Sequence, residues 1–323
     1  MAIRESELRE RLSHDDDDVV EAALREHFEP RPHDTPLTYR WCLRDDVELE
    51  PEPPSSDADD SVLGWMGDQL LDLANGAQRL VRARRFARQR GRHPDWPVVV
   101  AEGDSWVAHP LLHDITDHLR DDDRYPYAVL GVGAAADLLR DMEAEHDHER
   151  AAIEHGARAL LLSGGGNDLL ESFGRFLRPW SPGSDPQRLL TDEVDARMAT
   201  LMQTLRALLT RARARLPALP ILVHGYDYLQ TGEPGERGYL GPFFDDAGIV
   251  DPHDRRAALR AIVDRYNRHV AETAACVPDV TYVDLRGVVP ESEWHDDIHP
   301  DDDGFARVTA VLAQRLEQRL GRG

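Results

Sequence analysis

The 323-residue chain contains no lysine, so all 38 of its fixed basic side chains are arginines. Acidic side chains number 61, and the formal net charge is −23. Phosphate-rich partners are bound mainly by basic surfaces, so this charge argues against general affinity for nucleic acid and for anionic membranes. The same composition suggests a GC-rich genome or a salty cytoplasm, two origins that composition does not separate.

Cysteines and long apolar runs are also scarce. The two cysteines, Cys42 and Cys276, cannot build a multi-bridge framework and suit a reducing compartment, so we expect a cytoplasmic protein. The charged N-terminus lacks the apolar core of a secretory signal. No apolar run approaches the roughly 20 residues that span a bilayer, so we expect no membrane insertion.

The N-terminal part of the chain differs in composition from the rest. Helical periodicity predicts short helices over residues 5–12 and 19–27, then a Pro-, Ser- and Asp-rich linker over 50–60 and a long helix over 62–92. The basic run 79–92 should pair with carboxylates of the chain or, alternatively, bind an anionic partner. We divide the chain into an acidic segment and linker (1–60), a helical extension that packs on the main domain (61–95) and the main domain (96–323).

From residue 96 onward, short apolar runs alternate with longer segments of helical periodicity, a pattern typical of βαβ units. It predicts strands at 98–102, 127–131, 159–163, 221–224 and 280–284. It predicts helices at 111–120, 134–154, 191–215, 254–275 and 303–320. We therefore expect an α/β fold, with a flavodoxin-like three-layer α/β/α domain around a five-stranded parallel sheet and a mostly helical N-terminal extension.

Three segments carry residues suited to catalysis. They are Gly103-Asp104-Ser105-Trp106, Gly164-Gly165-Gly166-Asn167-Asp168 and Asp296-Asp297-Ile298-His299-Pro300. Ser105, Gly133 and Asn167 each follow a predicted strand, and the loops after parallel strands meet at one edge of a sheet. Taken alone, each segment has a structural alternative: a turn, a loop that binds water or phosphate, and a cap of the last helix.

A serine hydroxyl becomes a good nucleophile when a base removes its proton, and an imidazole held by a carboxylate is such a base. Asp296 and His299 are three residues apart, so both side chains can face one way in a turn. Of the 15 histidines, only His299 has an aspartate three positions before it. The intermediate of acyl transfer also needs oxyanion donors, which the Asn167 amide and backbone N–H groups of Ser105 and Gly133 can supply.

These residues resemble the SGNH or GDSL-like serine hydrolase family over residues 98–319. The motifs that match are Gly103-Asp104-Ser105, Gly133, Gly165-Gly166-Asn167-Asp168 and Asp296-x-x-His299-Pro300. The resemblance implies an SGNH-hydrolase domain in which Ser105 attacks, His299 is the base and Asp296 orients it. It also implies an oxyanion hole of Ser105, Gly133 and Asn167.

The sequence departs from the family pattern at two places. Trp106 stands where the family motif has leucine, a change that can reshape the acyl pocket. Residues 128–134 lack the polar residues common around the second glycine, so Gly131 is a rival to Gly133.

Further residues are predicted to surround this site. We expect Trp106, His109, Tyr226 and Asp227 to contact substrate, and Asp104 and Asp168 to orient the catalytic groups. His109 and His113 have a spacing that can bind zinc, but Pro110 between them favours a place for His109 in the cleft, so we expect no metal. The Gly-rich segment 232–241 reads as a mobile lid.

We therefore predict an esterase or lipase that cleaves a small ester through an acyl-enzyme, without a cofactor. One alternative is acyl transfer to a sugar or another alcohol. Another is a non-catalytic SGNH-like binding or scaffold protein, and in either case residues 1–95 are a candidate surface for a protein partner. Substrate identity, acyl length and oligomeric state stay open at this point.

Overall fold

The structure, a computed structural model, describes residues 2–32, 39–50, 77, 79–109, 112–135, 137–180, 188–231 and 238–321. It divides into two compact units, Met1–Arg92 and His93–Gly323. Among these described residues, no helix is both long and apolar enough to cross a membrane.

The first unit combines helices with short strands in its described part. Its helices are α1 (Glu5–Leu12), α2 (Asp17–His27) and α3 (79–92). Strand β1 (Ala2–Arg4) pairs in parallel with β4 (Glu48–Glu50), and β2 (Phe28–Pro32) pairs antiparallel with β3 (Tyr39–Leu43).

One buried core joins the three helices of the first unit. Leu8 and Leu12 of α1, Val20 and Leu24 of α2, and Val81 of α3 all lie in it. Helix α3 therefore belongs to the same unit as α1 and α2, a grouping that the sequence did not propose.

The arginines of α3 pair with carboxylates, as one of the two alternatives predicted. Arg84, Arg85 and Arg88 each form an ion pair with Asp17, whose side chain is only 4% exposed. Three guanidinium groups around one buried carboxylate compensate the cost of removing its charge from water.

The strands of the first unit were missed by sequence reasoning, whereas α1 and α2 were predicted. Strands β1 and β4 have three residues each, too few for an alternating pattern. Strand β2 contains Pro30 and Pro32, and proline argues against a strand because it cannot donate to the ladder. Residues 51–60 of the predicted linker lie outside the described residues. So do residues 62–76 and 78 of the long helix predicted over 62–92.

The second unit is built on a five-stranded, fully parallel sheet. Its strands are β5 (Val98–Glu102), β6 (Ala128–Gly131), β7 (Ala159–Leu162), β8 (Ile221–His224) and β9 (Val280–Val283). Their order is β6-β5-β7-β8-β9, which is the flavodoxin-like order. Every residue of β5, β7 and β8 is buried, so continuous apolar runs form these strands.

Helices connect and cover the strands. They are α4 (Ile115–Asp121), α5 (Leu139–Glu145), α6 (Asp147–His155), α7 (Gly166–Leu170), α8 (Phe173–Phe176), α9 (Glu193–Arg215), α10 (Gly241–Asp246), α11 (Pro252–Ala275) and α12 (Asp302–Leu320). Helix α11 packs on α9 and β9, while α12 packs on α4. The predicted α/β architecture is confirmed.

Two predicted helices differ from the observed ones by more than two residues, and the other three differ by one or two residues at one end. The helix predicted over 134–154 is two helices, separated at His146, which has a left-handed backbone (φ 58°). It also begins later, at Leu139, so residues 134, 135, 137 and 138 are loop. Helix α4 begins at Ile115 because the Asp114 carboxylate caps the N–H groups of Thr116 and Asp117.

Candidate active site

Ser105 lies in the turn that follows the buried strand β5 and is 6% exposed. Its Oγ is 2.8 Å from Nε2 of His299, a residue 194 positions later in the chain. The Nδ1 atom of His299 is 2.8 Å from Oδ2 of Asp296. In the tautomer that this geometry suits, the Ser105 hydroxyl donates to Nε2 and the Nδ1–H group donates to the carboxylate.

The carboxylate of Asp296 is held in its charged form by its neighbours. Burial favours the neutral acid, but the His299 ring and the backbone N–H groups of Ile298 and His299 outweigh it and lower the pKa of Asp296 below its usual range. Both N–H groups donate to Oδ1, so Oδ2 faces the imidazole. An ionised Asp296 can therefore orient His299 at neutral pH.

The loop that carries Asp296 and His299 is anchored at both ends. At its start, the buried carboxylate of Asp227 accepts hydrogen bonds from the backbone N–H groups of Gly287 and Val289. At its end, Asp301 caps α12 through the N–H of Gly304. The cap is therefore Asp301, and the alternative in which Asp296 caps this helix is wrong.

Two backbone N–H groups near the Ser105 hydroxyl are candidate oxyanion donors. Within the described part of the chain, the N–H groups of Ser105 and Gly133 make no hydrogen bond. Gly133 lies directly on the turn, because a β-carbon at this position would stand 2.2 Å from the carbonyl oxygen of Gly103. Gly131 instead lies within β6, opposite Ala101 in the ladder. The geometry thus favours Gly133 over Gly131.

The Asn167 side chain faces the loop before α5. Its Nδ2 donates to the carbonyl oxygens of Ala135 and Asp137, each at 3.0 Å. Both N–H bonds of the amide are therefore used within the protein. An incoming oxyanion must replace one of these two carbonyl acceptors to receive a hydrogen bond from Asn167.

Asp104 and Tyr226 join the first and second of the three candidate catalytic segments. One carboxylate oxygen of Asp104 accepts from the backbone N–H of Trp106 (3.2 Å), and the other accepts from the Tyr226 hydroxyl. That hydroxyl in turn accepts from the N–H of Gly166 at 3.0 Å. Burial raises the pKa of Asp104, although these hydrogen bonds oppose the effect. Asp104 is thus bonded to both segments, and the orienting role that the sequence predicts for it stays a prediction.

The carboxylates of Asp168 and Asp227 accept hydrogen bonds from backbone N–H groups. The carboxylate of Asp168 caps α5 through the N–H of Leu139 (2.9 Å), and burial raises its pKa. Asp227 is 1% exposed and is bonded to backbone N–H groups. The structure thus gives Asp227 an anchoring place rather than the substrate contact expected from its sequence.

His109 lies against the imidazole of His299, with the two ring centroids 4.7 Å apart and an edge-to-face arrangement. Its Nδ1 accepts from the N–H of Leu112 at 3.0 Å. His113 instead bonds Asp302 through its backbone N–H. In the described residues, no three His, Cys, Asp or Glu side chains converge in a way that could hold a metal.

An apolar cavity of about 50 Å³ opens beside Ser105 and His299. Its wall includes Trp106 and Tyr226, and the substrate contact predicted for these two residues stays a prediction. Sequence reasoning missed most of the remaining lining residues, which come from four separate elements: Leu169, Leu170, Phe173, Leu229, Ile262, Val263 and Tyr266. All of them except Leu229 lie on helices, where a pocket wall and a core face have the same period, so periodicity gave no signal for a pocket.

The C-terminal end of the predicted lid, residues 238–241, is hydrogen-bonded to Asp297, which lies between Asp296 and Ile298. The buried carboxylate of Asp297 accepts from the N–H of Leu240 at 2.7 Å. The ring centroid of Tyr239 lies 6.1 Å from that of His299. Residues 232–237 of this segment lie outside the described part of the chain.

Asp297 should make stability depend on pH. Burial raises the pKa of its carboxyl to about 6 from 3.8. The folded state therefore binds this proton more tightly than the unfolded state, so this contribution to stability is present below pH ~4 and is lost as the pH rises to about 6. The difference of about 2.2 pH units, at ~1.36 kcal/mol each, corresponds to about 3 kcal/mol.

The Asp297→Asn substitution should remove this pH dependence. The free energy of unfolding of the variant, relative to the native protein, should rise by about 2 kcal/mol between pH 4 and pH 7. Urea unfolding at four pH values in this range measures it. Exposed Asp303→Asn is the control and should show no such trend. Parallel stability curves for Asp297→Asn and the native protein would contradict the assignment.

Two of three comparisons with known proteins found matches to part of the chain. A family model described as "GDSL-like Lipase/Acylhydrolase family" matches residues 100–307, which is more than half of the chain. A search of curated proteins found no match.

Solved structures similar to the chain have low identity to it. An extracellular lipase from Streptomyces rimosus is 16% identical, with a TM-score of 0.47, over 68% of this chain and 99% of that one. A phospholipase A1 from Streptomyces albidoflavus is 15% identical, with a TM-score of 0.45 and the same coverage. A carbohydrate esterase family 3 protein from Talaromyces cellulolyticus is 11% identical, with a TM-score of 0.42, over 70% of this chain and 99% of that one. The family match over residues 100–307 means that the chain belongs to the GDSL-like lipase/acylhydrolase family and is an ester-hydrolysing enzyme.

Proposed function

We propose that this enzyme cleaves carboxylic esters through an acyl-enzyme on Ser105, with His299 as the base and Asp296 as the residue that orients it. One observation carries the proposal: an unbroken chain of hydrogen bonds runs from the Ser105 hydroxyl through His299 to the Asp296 carboxylate. The three residues come from distant parts of the sequence, and each bond has the length of a good hydrogen bond.

The proposed reaction has two steps. Ser105 Oγ attacks the ester carbonyl while His299 Nε2 takes the hydroxyl proton, and His299 then returns that proton to the leaving alcohol. In the second step, His299 takes a proton from water, the hydroxide attacks the acyl-enzyme, and the acid leaves as Ser105 regains its proton. Each step uses side chains of this protein and requires no metal or organic cofactor.

The oxyanion that forms in each step is proposed to receive hydrogen bonds from Ser105, Gly133 and Asn167. The backbone N–H groups of Ser105 and Gly133, which make no hydrogen bond to the described residues, support the first two. For Asn167, the substrate oxygen replaces the carbonyl of Ala135 or Asp137 as the acceptor of Nδ2. One such donor is worth about 2.7–4 kcal/mol in the transition state.

The cavity beside Ser105 supports a short, apolar acyl group. An apolar cavity of roughly 150 Å³ holds one benzene ring, so a cavity of about 50 Å³ suits a chain of about two to four carbons. Each methylene that is buried contributes about 0.8 kcal/mol, or roughly fourfold in kcat/KM. We therefore expect kcat/KM to rise from acetate to butyrate and to fall for longer acids.

Hydrolysis of p-nitrophenyl acetate, butyrate, octanoate and palmitate tests both parts of this proposal. No turnover of any ester, in a folded protein that a fluorophosphonate does not label, would contradict the reaction. A steady rise in kcat/KM up to palmitate would contradict the short acyl group alone.

A pair of variants tests the cavity itself. Phe173 and Phe176 both lie buried on α8, and only Phe173 lines the cavity. Phe173→Ala should shift the preferred ester to a longer acid, whereas Phe176→Ala should keep the preference of the native protein.

The alternatives from the sequence remain distinguishable. Acyl transfer would use the same residues. When glycerol or a sugar is added, it would give a new ester product and correspondingly less free acid. A purely binding role is disfavoured by the hydrogen-bonded state of Ser105, His299 and Asp296. A protein partner for residues 1–95 stays a proposal, as does a cytoplasmic location, which the two free cysteines support.

A further inference from the structure

Trp106 connects the loop of the nucleophile to the loop of the base. It directly follows Ser105, and its indole Nε1–H donates to the carbonyl oxygen of Ile298 at 3.2 Å. Ile298 directly precedes His299. One hydrogen bond between side chain and backbone therefore spans 192 positions of sequence and joins the neighbours of the two reacting groups.

Both ends of this hydrogen bond are held in place. The Trp106 side chain is 3% exposed, and its ring makes edge contacts with Tyr226 and Phe305 at centroid distances of 5.2 and 5.8 Å. At the other end, the N–H of Ile298 donates to Asp296 Oδ1 at 2.9 Å. The backbone of Ile298 is thus bonded to the triad carboxylate on one side and to Trp106 on the other.

We propose that Trp106 is a positioning residue, which keeps His299 Nε2 at hydrogen-bond distance from Ser105 Oγ. This inference rests on the proposed function. The family motif has leucine at this position. A leucine side chain has no N–H group, so it cannot make this bond. The indole therefore supplies a connection between the two loops that a leucine would lack.

The size of the effect follows from the geometry of catalysis. A displacement of 1 Å between reacting groups can cost roughly 10²-fold in rate. Loss of the Trp106 bond should therefore lower kcat by about 10- to 100-fold, by the same factor for every ester. KM should change little, because the apolar surface that Trp106 offers to the cavity is largely retained by another ring.

A different role for Trp106 would give a different result. Trp106 also lines the apolar cavity. If it served only as a wall, its replacement would change KM and the preferred acyl length, and kcat for the best ester would stay close to that of the native protein. The split between kcat and KM therefore separates positioning from specificity.

The experiment compares three proteins with the native enzyme. Trp106→Phe removes the N–H and some bulk. Replacement of Trp106 by benzothienylalanine, introduced by codon reassignment, keeps the two-ring shape and removes only the N–H. Trp294→Phe is the matched control, because its buried indole N–H has no hydrogen-bond partner within the described residues and its ring lies 6.4 Å from that of Trp106.

We expect kcat to fall by about 10- to 100-fold in both Trp106 proteins, with little change in KM, and to change less than about threefold in Trp294→Phe. The rate of fluorophosphonate labelling should fall by the same factor. Native kcat in the benzothienylalanine protein would overturn the proposal, even if Trp106→Phe failed to fold.

The NMR line widths of the His299 ring test the positioning role of Trp106 independently of turnover. In spectra of protein labelled with ¹⁵N-histidine, the ring signals of His299 should broaden in the benzothienylalanine protein and remain sharp in Trp294→Phe. Unchanged His299 line widths would overturn the positioning role. If the native enzyme hydrolysed no ester, the proposed function would fail, while these spectra would still test the bond between the two loops.

Discussion

The Ser105→Ala variant is expected to lose roughly 10⁴- to 10⁶-fold in kcat on its best ester and to remain folded. Ser105 is the only group in the proposed mechanism that forms a bond to the acyl carbon, so no neighbouring residue can replace it. Among the described residues, the hydroxyl makes one buried hydrogen bond, to His299, so its removal should cost only about 1 kcal/mol of stability.

Two measurements make this prediction specific to Ser105. A fluorophosphonate should add one phosphonyl group to the native protein, located on Ser105 by peptide mass spectrometry, and should add none to the variant. Ser172→Ala is the control, since Ser172 is also buried but bonds Arg175. Equal labelling of Ser105→Ala and the native protein would remove Ser105 from the role of nucleophile.

The Asp296→Asn variant is expected to lose roughly 10⁴-fold in kcat. An asparagine can keep the hydrogen bonds from the N–H groups of Ile298 and His299 through its oxygen. Its NH2 group would then face Nδ1 of His299, which favours the tautomer with the proton on Nε2. In that tautomer the imidazole cannot accept the Ser105 proton, so the geometry survives while the base is lost.

The adjacent aspartate provides a matched control for this variant. Asp297→Asn makes the same change of charge one residue away, on a side chain that bonds the N–H of Leu240 rather than His299. It should keep turnover within about tenfold of the native value, whereas Asp296→Asn should not. Similar losses in both variants would indicate that charge near His299 matters, and not the orientation of its ring.

The sheet of the second unit was predictable because its strands are short and mostly apolar, and β5, β7 and β8 are buried along their whole length. Strands β5 and β8 have the predicted bounds, and β6, β7 and β9 differ from the prediction by one residue at one end. Local sequence also decides where α4 begins, since Asp114 caps it. The break at His146 was not predictable, because the sequence there has no glycine or proline to mark it.

The candidate site was predictable to the extent that topology determines proximity. Ser105, Gly133 and Asn167 follow parallel strands, so the order of the strands alone brings them to one edge. The bonds that Asn167 makes to Ala135 and Asp137 were not predictable, since they depend on the path of a loop. The same holds for Asp227, whose carboxylate bonds a loop 60 residues away.

The sequence by itself determined the residue types of the candidate site and the parallel sheet that presents them, because apolar periodicity and short motifs are local properties. Tertiary structure alone decided which groups meet. The Ser105–His299 distance, the Trp106–Ile298 bond and the apolar cavity each join segments far apart in the chain. Such contacts depend on how whole elements pack, and no local pattern of residues encodes that packing.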